Sequence, residues 1–270
     1  MGVDALYSNV AGRFLLQTVM KTGIFKVGAW YLNSSLSRVM ISSFITKNNI
    51  DLSGYKKKKY VSFGDFFSRE KESVEFDVDP KALISPCDGL VSVYQIQDDT
   101  VLPIKGSSYR INDLLNDEKL SDRFRDGLCL VLRLQASDYH HFCCFDNFIA
   151  ERAVFIPGQL HSVQPIACEN YPVFRLNRRW YSVLDTECFG KAVQVEIGAM
   201  MVGGVKFARE NGNFTKGEEF GQFTLAGSTI VLLFDKEVRN NMKLNGPIAK
   251  SAGTGLEIPV KIGEKIATLI

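Results

Sequence analysis

The segment FGQFTLAGSTIVLLFDK, residues 220–236, joins a small-residue turn to an apolar run, Ile230–Phe234, that reads as a buried strand. The strand would hold Ser228 at its rigid end. Gly227 lacks the Cβ that would otherwise keep a hydroxyl from folding back onto the preceding carbonyl. A serine so placed can attack its own backbone. Gly-Ser-Thr before a strand is also ordinary turn chemistry, so the rest of the chain must decide between the two.

Outward from this strand, similar β-rich runs recur between Gly, Pro and Asp: Leu90–Ile96, Cys129–Leu134, Ala153–Ile156 and Ala192–Ile197. Two short stretches, KGEEFG at 216–221 and KIGEKIA at 261–267, share a Gly-Glu turn of the kind found in hairpins. The expected fold is α+β: a mostly β, barrel-sandwich-like domain over 71–270, preceded by an amphipathic helical segment over 1–70. Helix breaks are expected at Gly23 and around Asn33-Ser34-Ser35, with Ser34 or Ser35 capping the following helix.

The net charge of +2 hides an asymmetry, because residues 1–70 hold ten Lys/Arg against four Asp/Glu, which leaves −4 for the remainder. Cations there alternate with aromatic and apolar residues, as in Phe14-Leu15-Leu16, Phe25-Lys26, Trp30-Tyr31 and Arg38 to Ile41. That pattern suits a lipid headgroup layer, and equally helices packed on the protein's own core. Tyr55-Lys56-Lys57-Lys58-Lys59-Tyr60 adds four cations, each worth about 1 kcal/mol beside an anionic surface, or a solvated loop. No nucleic-acid motif accompanies the charge. No apolar run reaches the roughly 18 residues that span a bilayer, and the start lacks the regions of a secretory signal, so neither spanning nor export is expected. The six cysteines form no CxxC pair and no zinc spacing, which points to thiols in a reducing compartment and to no metal.

All three histidines fall between positions 140 and 161, His140 and His141 in SDYHHFCCFDN (137–147) and His161 in FIPGQLHSVQP (155–165). A single histidine is more often structural than catalytic. Asp88 sits on the Pro-x-Asp-Gly turn of LISPCDGLVSVY (83–94), where its carboxylate could simply cap the turn or could orient a base. IGAMMVGG (197–204) offers close backbone approach, whether to a neighbouring strand or to a lipid phosphate.

Taken in order, SPCDG, DYHHF, PGQLHSVQP, IGAMMVGG and KGEEFGQFTLAGST resemble the phosphatidylserine decarboxylase family, over roughly residues 62–234 and beginning with the Phe63, Phe66-Phe67, Arg69 pattern. The resemblance implies a zymogen that cuts itself at Gly227-Ser228 into a β chain, 1–227, and an α chain, 228–270. Ser228 would become a pyruvoyl group made from the protein's own backbone. That group acts as an electron sink when a substrate amine condenses with it, the logic of pyridoxal phosphate without an external cofactor. The implied reaction is decarboxylation of phosphatidylserine to phosphatidylethanolamine in phospholipid biosynthesis. The enzyme would be a homodimer of αβ units, peripheral on an anionic membrane at its cytoplasmic side. The implied catalytic residues are Asp88, His140 and Ser228, with Asp138, Cys143 and His161 as possible support.

One departure matters. The family usually reads Asp-Tyr-His-x-x-His, and here Cys143 occupies the second histidine's place after Asp138-Tyr139-His140. A thiol of pKa about 8.5 is a poor base at neutral pH. Three outcomes stay open: His140 serves both self-cleavage and decarboxylation, His161 supplies the base, or the chain remains uncut as a lipid-binding relative. The intact Asp-Tyr-His context favours His140. His141 would point to the opposite face of a strand. Met200 stands where the family commonly has threonine. A pyruvoyl decarboxylase of a small amino acid is the further alternative, which the basic, aromatic N-terminus disfavours.

Overall fold

The computed structural model describes residues 6–8, 11–12, 14, 18, 24–56, 59–97, 102–104, 107–199, 204–225 and 228–270. Leu15, Leu16, Gly23, Lys57, Lys58, Gly227, residues 200–203 and the side chains of Phe25 and Lys26 therefore lie outside the description.

The strands, in chain order, are β1 (Ala82–Ile84), β2 (Gly89–Gln95), β3 (Leu102–Ile104), β4 (Ser107–Tyr109), β5 (Leu128–Leu134), β6 (His141–Cys143), β7 (Phe148–Ala150), β8 (Val154–Ile156) and β9 (Arg179–Thr186). They continue as β10 (Lys191–Ile197), β11 (Gly204–Phe207), β12 (Gly212–Phe214), β13 (Glu219–Thr224), β14 (Ser228–Phe234), β15 (Met242–Leu244), β16 (Ile258–Val260) and β17 (Lys265–Leu269). Apolar runs flanked by turn residues thus became strands within a residue or two of their expected bounds.

The main sheet runs β12-β7-β9-β10-β14-β5-β2-β16, with β8 also on β9, and smaller sheets β1-β17-β15 and β11-β13-β6 accompany it. The α+β class expected from the sequence is the one observed, and among the described residues the main sheet ends on β12 and β16 and does not close into a barrel. The reason is visible in the core. Leu130, Leu132, Ile230 and Leu232 on one face of the main sheet share a cluster with Phe142, Phe220 and Phe223 of the β11-β13-β6 sheet, and with Ile266 and Ala267 of β17. Val131, Val193, Val195 and Val231 on the opposite face pack with Leu114, Ala167, Val173 and Phe174 from short helices. Both faces are covered by separate layers, so curling into a barrel is not needed to bury them.

The two Gly-Glu turns do match. Gly217 and Gly263 have φ of 81° and 83°. Glu218 and Glu264 each accept a backbone N–H three residues upstream, from Thr215 at 3.0 Å and Lys261 at 2.9 Å.

The N-terminal part contains α1 (Ile24–Asn33), a 3-10 turn (Ser35–Val39), α2 (Met40–Asn48) and α3 (Phe63–Phe67). Ser34 occupies the cap position, but its hydroxyl donates to the Tyr31 carbonyl at 2.6 Å and caps nothing ahead. Leu32, Ile41, Phe63, Phe66, Phe67 and Leu225 form a third core, with Phe44 packed against it. The same helical segment leaves Val27, Trp30, Leu36, Val39 and Met40 exposed. No helix of the described residues is long and apolar enough to cross a membrane.

Gly89 begins β2 with φ of 154°, and a Cβ there would lie 2.7 Å from the Arg133 carbonyl oxygen on β5. Gly89→Ala is expected to push β2 away from β5 and lower the unfolding free energy by about 1–3 kcal/mol, measurable by denaturant titration.

Candidate active site

Ser228 is the first residue of β14, and the register fixes it on both sides. It pairs with Leu134, the last residue of β5. On the other edge β10 pairs Ile197 with Thr229 and Glu196 with Ile230. Its side chain therefore shares a face with Ile230 and Leu232, towards the aromatic-rich core, and Ser228 is 1% exposed. Leu225, three residues earlier, is buried with φ of 45°, a left-handed conformation that a branched residue adopts at a cost of about 1–3 kcal/mol.

From Leu134 the chain turns through 135–139 into His140. Asp138 holds this turn, its Oδ2 accepting the Gln135 N–H at 2.7 Å. Arg69, itself buried, donates from Nη2 to the carbonyls of Ser137 and Asp138 at 2.6 and 3.1 Å, and its guanidinium lies over the Tyr55 and Phe66 rings. The Phe66-Phe67-Arg69 pattern thus clamps the Asp-Tyr-His turn. Phe67 also covers the imidazole of His140, ring centroids 3.9 Å apart. The His140 carbonyl accepts the Phe223 N–H at 2.9 Å, which ties it to the strand that leads towards Ser228.

His140 is fully buried, and burial pushes its pKa down to about 3, so the imidazole is neutral. Its Nδ1 lies 2.9 Å from the Asp138 carbonyl. A carbonyl only accepts, so the ring proton is assigned to Nδ1 and the lone pair to Nε2. Nε2 is buried with no hydrogen-bond partner. An orphaned basic nitrogen of this kind is costly unless a reacting group engages it.

The other residues singled out from sequence are placed differently. Asp88 is buried, and its Oδ1 accepts the Ile262 N–H at 2.9 Å while Lys71 Nζ lies 3.3 Å from Oδ2. Its carboxylate therefore faces Lys71. The ring nitrogen Nδ1 of His140 goes to a backbone carbonyl instead. Asp88 and Ser228 flank opposite edges of β5, about 10 Å apart by strand spacing. Cys143 is buried beside this acid, its N–H on the Pro86 carbonyl at 2.8 Å and its thiol 3.8 Å from the Ser85 carbonyl. Burial raises that thiol to about 12, which keeps it protonated.

His161 belongs to the other face of the main sheet. It stacks on Tyr171 with centroids 4.6 Å apart, its Nε2 meets Gln159 Oε1 at 2.8 Å, and burial lowers its pKa to about 4. His141 stacks on Tyr139 at 4.8 Å, with its Nδ1 3.1 Å from Glu219. The structure thus puts Asp138, His140 and Arg69 together on the turn that follows β5, whose last residue pairs with Ser228, and sets Asp88 with Cys143 ahead of β2, while His161 lies elsewhere.

Three buried or part-buried polar residues escaped the sequence reading. Lys71 gave no local signal, because nothing in its flanking residues ties it to Asp88. Gln194 and Glu196 did give one, two polar residues on one face of an otherwise apolar strand, VQVEI.

The α+β fold, with a buried serine at a strand start and a buried neutral histidine on the turn after the paired strand, is here that of a carboxy-lyase, as the relatives show. The chain is a member of the phosphatidylserine decarboxylase family, whose sequence model matches residues 63–268. Phosphatidylserine decarboxylase proenzyme 2 of Clostridium acetobutylicum is 42% identical over 264 residues, covering 97% of this chain and 89% of that protein. Phosphatidylserine decarboxylase proenzymes of Clostridium botulinum and Clostridium beijerinckii are 37% and 33% identical, covering 97% and 99% of this chain and 90% and 92% of their own lengths.

The buried histidines give the stability a definite acid limb. His140 and His161 bind protons near pH 6.5 when unfolded but only near 3 and 4 when folded, so the unfolded state gains protons as pH falls through that window. Stability is expected to drop between about pH 6.5 and 4, and His140→Phe with His161→Phe should flatten the decline in denaturant midpoints.

Proposed function

We propose that this protein is a proenzyme that cuts itself between Gly227 and Ser228 and then decarboxylates phosphatidylserine to phosphatidylethanolamine. The observation that carries this reading is the corner described above: a buried serine locked by Leu134, with a neutral, orphaned histidine nitrogen on the turn that follows Leu134. Family membership supports the substrate, which the relatives carry in their names.

His140 Nε2 takes the Ser228 hydroxyl proton as Oγ attacks the Gly227 carbonyl, and the amide becomes an ester. Elimination releases the chain 1–227 as its carboxylate, and hydrolysis then releases ammonia and leaves a pyruvoyl group in place of Ser228. The residues present suit that group, because Ser228 opens onto an apolar, water-poor core where a ketone is protected. That carbonyl would supply an electron sink for the electron pair left on the substrate's α-carbon when its carboxylate departs as carbon dioxide. Arg69 and Asp138 keep the His140 turn in place. Asp88 and Lys71 neutralise one another beside Cys143, and Asp88 tethers the 261–263 turn through Ile262.

The protein acts at a membrane surface in this reading. The exposed Val27, Trp30, Leu36, Val39 and Met40, with Arg38 and Lys47 among them, form an apolar and basic rim suited to anionic headgroups. A second reading, an uncut lipid-binding relative, draws on Cys143, whose protonated thiol cannot act as a base.

Mass measurement of denatured protein separates the two. A fragment over 228–270 with a pyruvoyl end is expected, and a single 30.2 kDa chain would leave the second reading standing. His140→Ala should slow cleavage by about 10²- to 10⁴-fold, and cleavage at the wild-type rate would remove His140 from the role.

A further inference from the structure

Ser228 is 1% exposed and His140 0%, so both are closed to a substrate as bulky as a phospholipid. Some covering element must move before the reaction can run. Phe67, the last residue of α3, lies on the imidazole of His140 with the ring centroids 3.9 Å apart. At five residues, α3 is too short to hold its own shape and takes its place from its neighbours.

On one side the chain is fastened to the catalytic domain. Just past α3, Arg69 donates to the Ser137 and Asp138 carbonyls, and His141 Nε2 lies 3.3 Å from the Ser68 carbonyl. On the other side α3 is bound to the N-terminal helices. The Phe63 N–H donates to Ser37 Oγ at 2.8 Å, and the Phe44 ring meets those of Phe63 and Phe66 edge-on. Gly64 sits so close to Asn33 of α1 that a Cβ there would strike its side chain. Through these contacts α1, the 3-10 turn, α2 and α3 form one body, and Leu225, on the approach to Ser228, packs in the same cluster. The outer side of that body carries Val27, Trp30, Leu36, Val39 and Met40, all exposed. It therefore has one apolar side against the protein and another that is open.

We propose that α3 is a lid over His140, with Phe67 as its gate, Ser68-Arg69 as its hinge and α1 and α2 as the lever that a lipid surface pulls. The proposal rests on the reading of Ser228 and His140 given above. The structure shows the lid closed. As Val27, Trp30, Leu36 and Val39 enter acyl chains, the body swings outward and Phe67 leaves the imidazole. Arg69 stays on the Ser137 and Asp138 carbonyls and keeps the His140 turn in shape. The swing carries the Phe67 ring out of the core to the lipid side. Lipid then gains an apolar contact that the closed form denies it, and this difference in affinity is what shifts the balance. His140 Nε2, buried without a hydrogen-bond partner while the lid is down, meets substrate only at the membrane. Away from lipid the closed lid keeps water off the site.

Labelling of histidines by diethyl pyrocarbonate, mapped by mass spectrometry on full-length Ser228→Ala proenzyme, tests the lid whether or not the wild type is active. With phosphatidylglycerol vesicles present, His140 should label about 10- to 10³-fold faster than without them, the factor gained when a state populated at about 0.1–10% becomes the main one. His161, stacked on Tyr171 at the other face of the main sheet, should keep its slow rate and so reports that the fold is intact. His140 labelled at one rate with and without vesicles overturns the proposal, and so does a chain that fails to float with the vesicles. Phe67→Ala in the same background should label fast at His140 without vesicles while His161 stays slow; a slow His140 there overturns the gate. In the wild type, carbon dioxide release from glycerophosphoserine, a soluble headgroup that needs no membrane, should rise by a similar factor when phosphatidylglycerol vesicles are added. A cut, active enzyme indifferent to those vesicles overturns the lid alone. An uncut wild-type chain overturns the reading beneath it, and the labelling still decides the lid.

Discussion

The pairing of Ser228 with Leu134 is the constraint on which the rest of the site depends. β14 is hydrogen-bonded along both edges, by β5 and β10, so its first residue has no freedom to drift. That rigidity fixes two other features at once. The turn leaving Leu134 brings His140 round, and the incoming chain is forced through Leu225 in a left-handed conformation. Positioning of this kind is what loops alone rarely provide, and it explains why the serine sits on a strand rather than on the turn before it.

Burial, more than ion pairing, sets the protonation states around that corner. Desolvation lowers His140 and raises Cys143 and Glu196, so each is held in its uncharged form at neutral pH. Every tenfold change in an ionisation equilibrium corresponds to about 1.4 kcal/mol, so displacements spanning several powers of ten are large beside a typical surface ion pair. Asp88 is the contrasting case, a buried acid that meets Lys71 and the Ile262 N–H directly. The site is therefore dry at its centre and charged at its margin.

Much of the fold was legible because apolar runs and turn residues are local signals. The strands from Gly89, Leu128, Lys191 and Ser228 fall where periodicity placed them, and the repeated Gly-Glu turns proved to share one hydrogen-bond pattern. Barrel closure was not legible, because whether a sheet curls depends on what covers its second face, here helices distant in sequence. The placing of His161 failed for the same reason: closeness along the chain to His140 says nothing about which side of the sheet a loop returns to. Lys71 reached Asp88 only through tertiary packing. Gln194 and Glu196 were readable in principle, as polar residues on a buried strand face, but an apolar strand draws attention to its hydrophobic alternation first.

The sheet order carries a consequence for how the molecule is assembled. Residues 228–270 supply β14 at the centre of the main sheet, β16 at its edge and β15 and β17 in another sheet. After a cut at 227–228 the two pieces remain interleaved through strands on several sides. The uncut chain folds in a first-order process, whereas the same structure rebuilt from two separated pieces is a second-order one and depends on concentration. Scission at that bond would thus change the molecularity of folding without changing the fold, so the long-range strand pairs would have to be in place before the backbone opened.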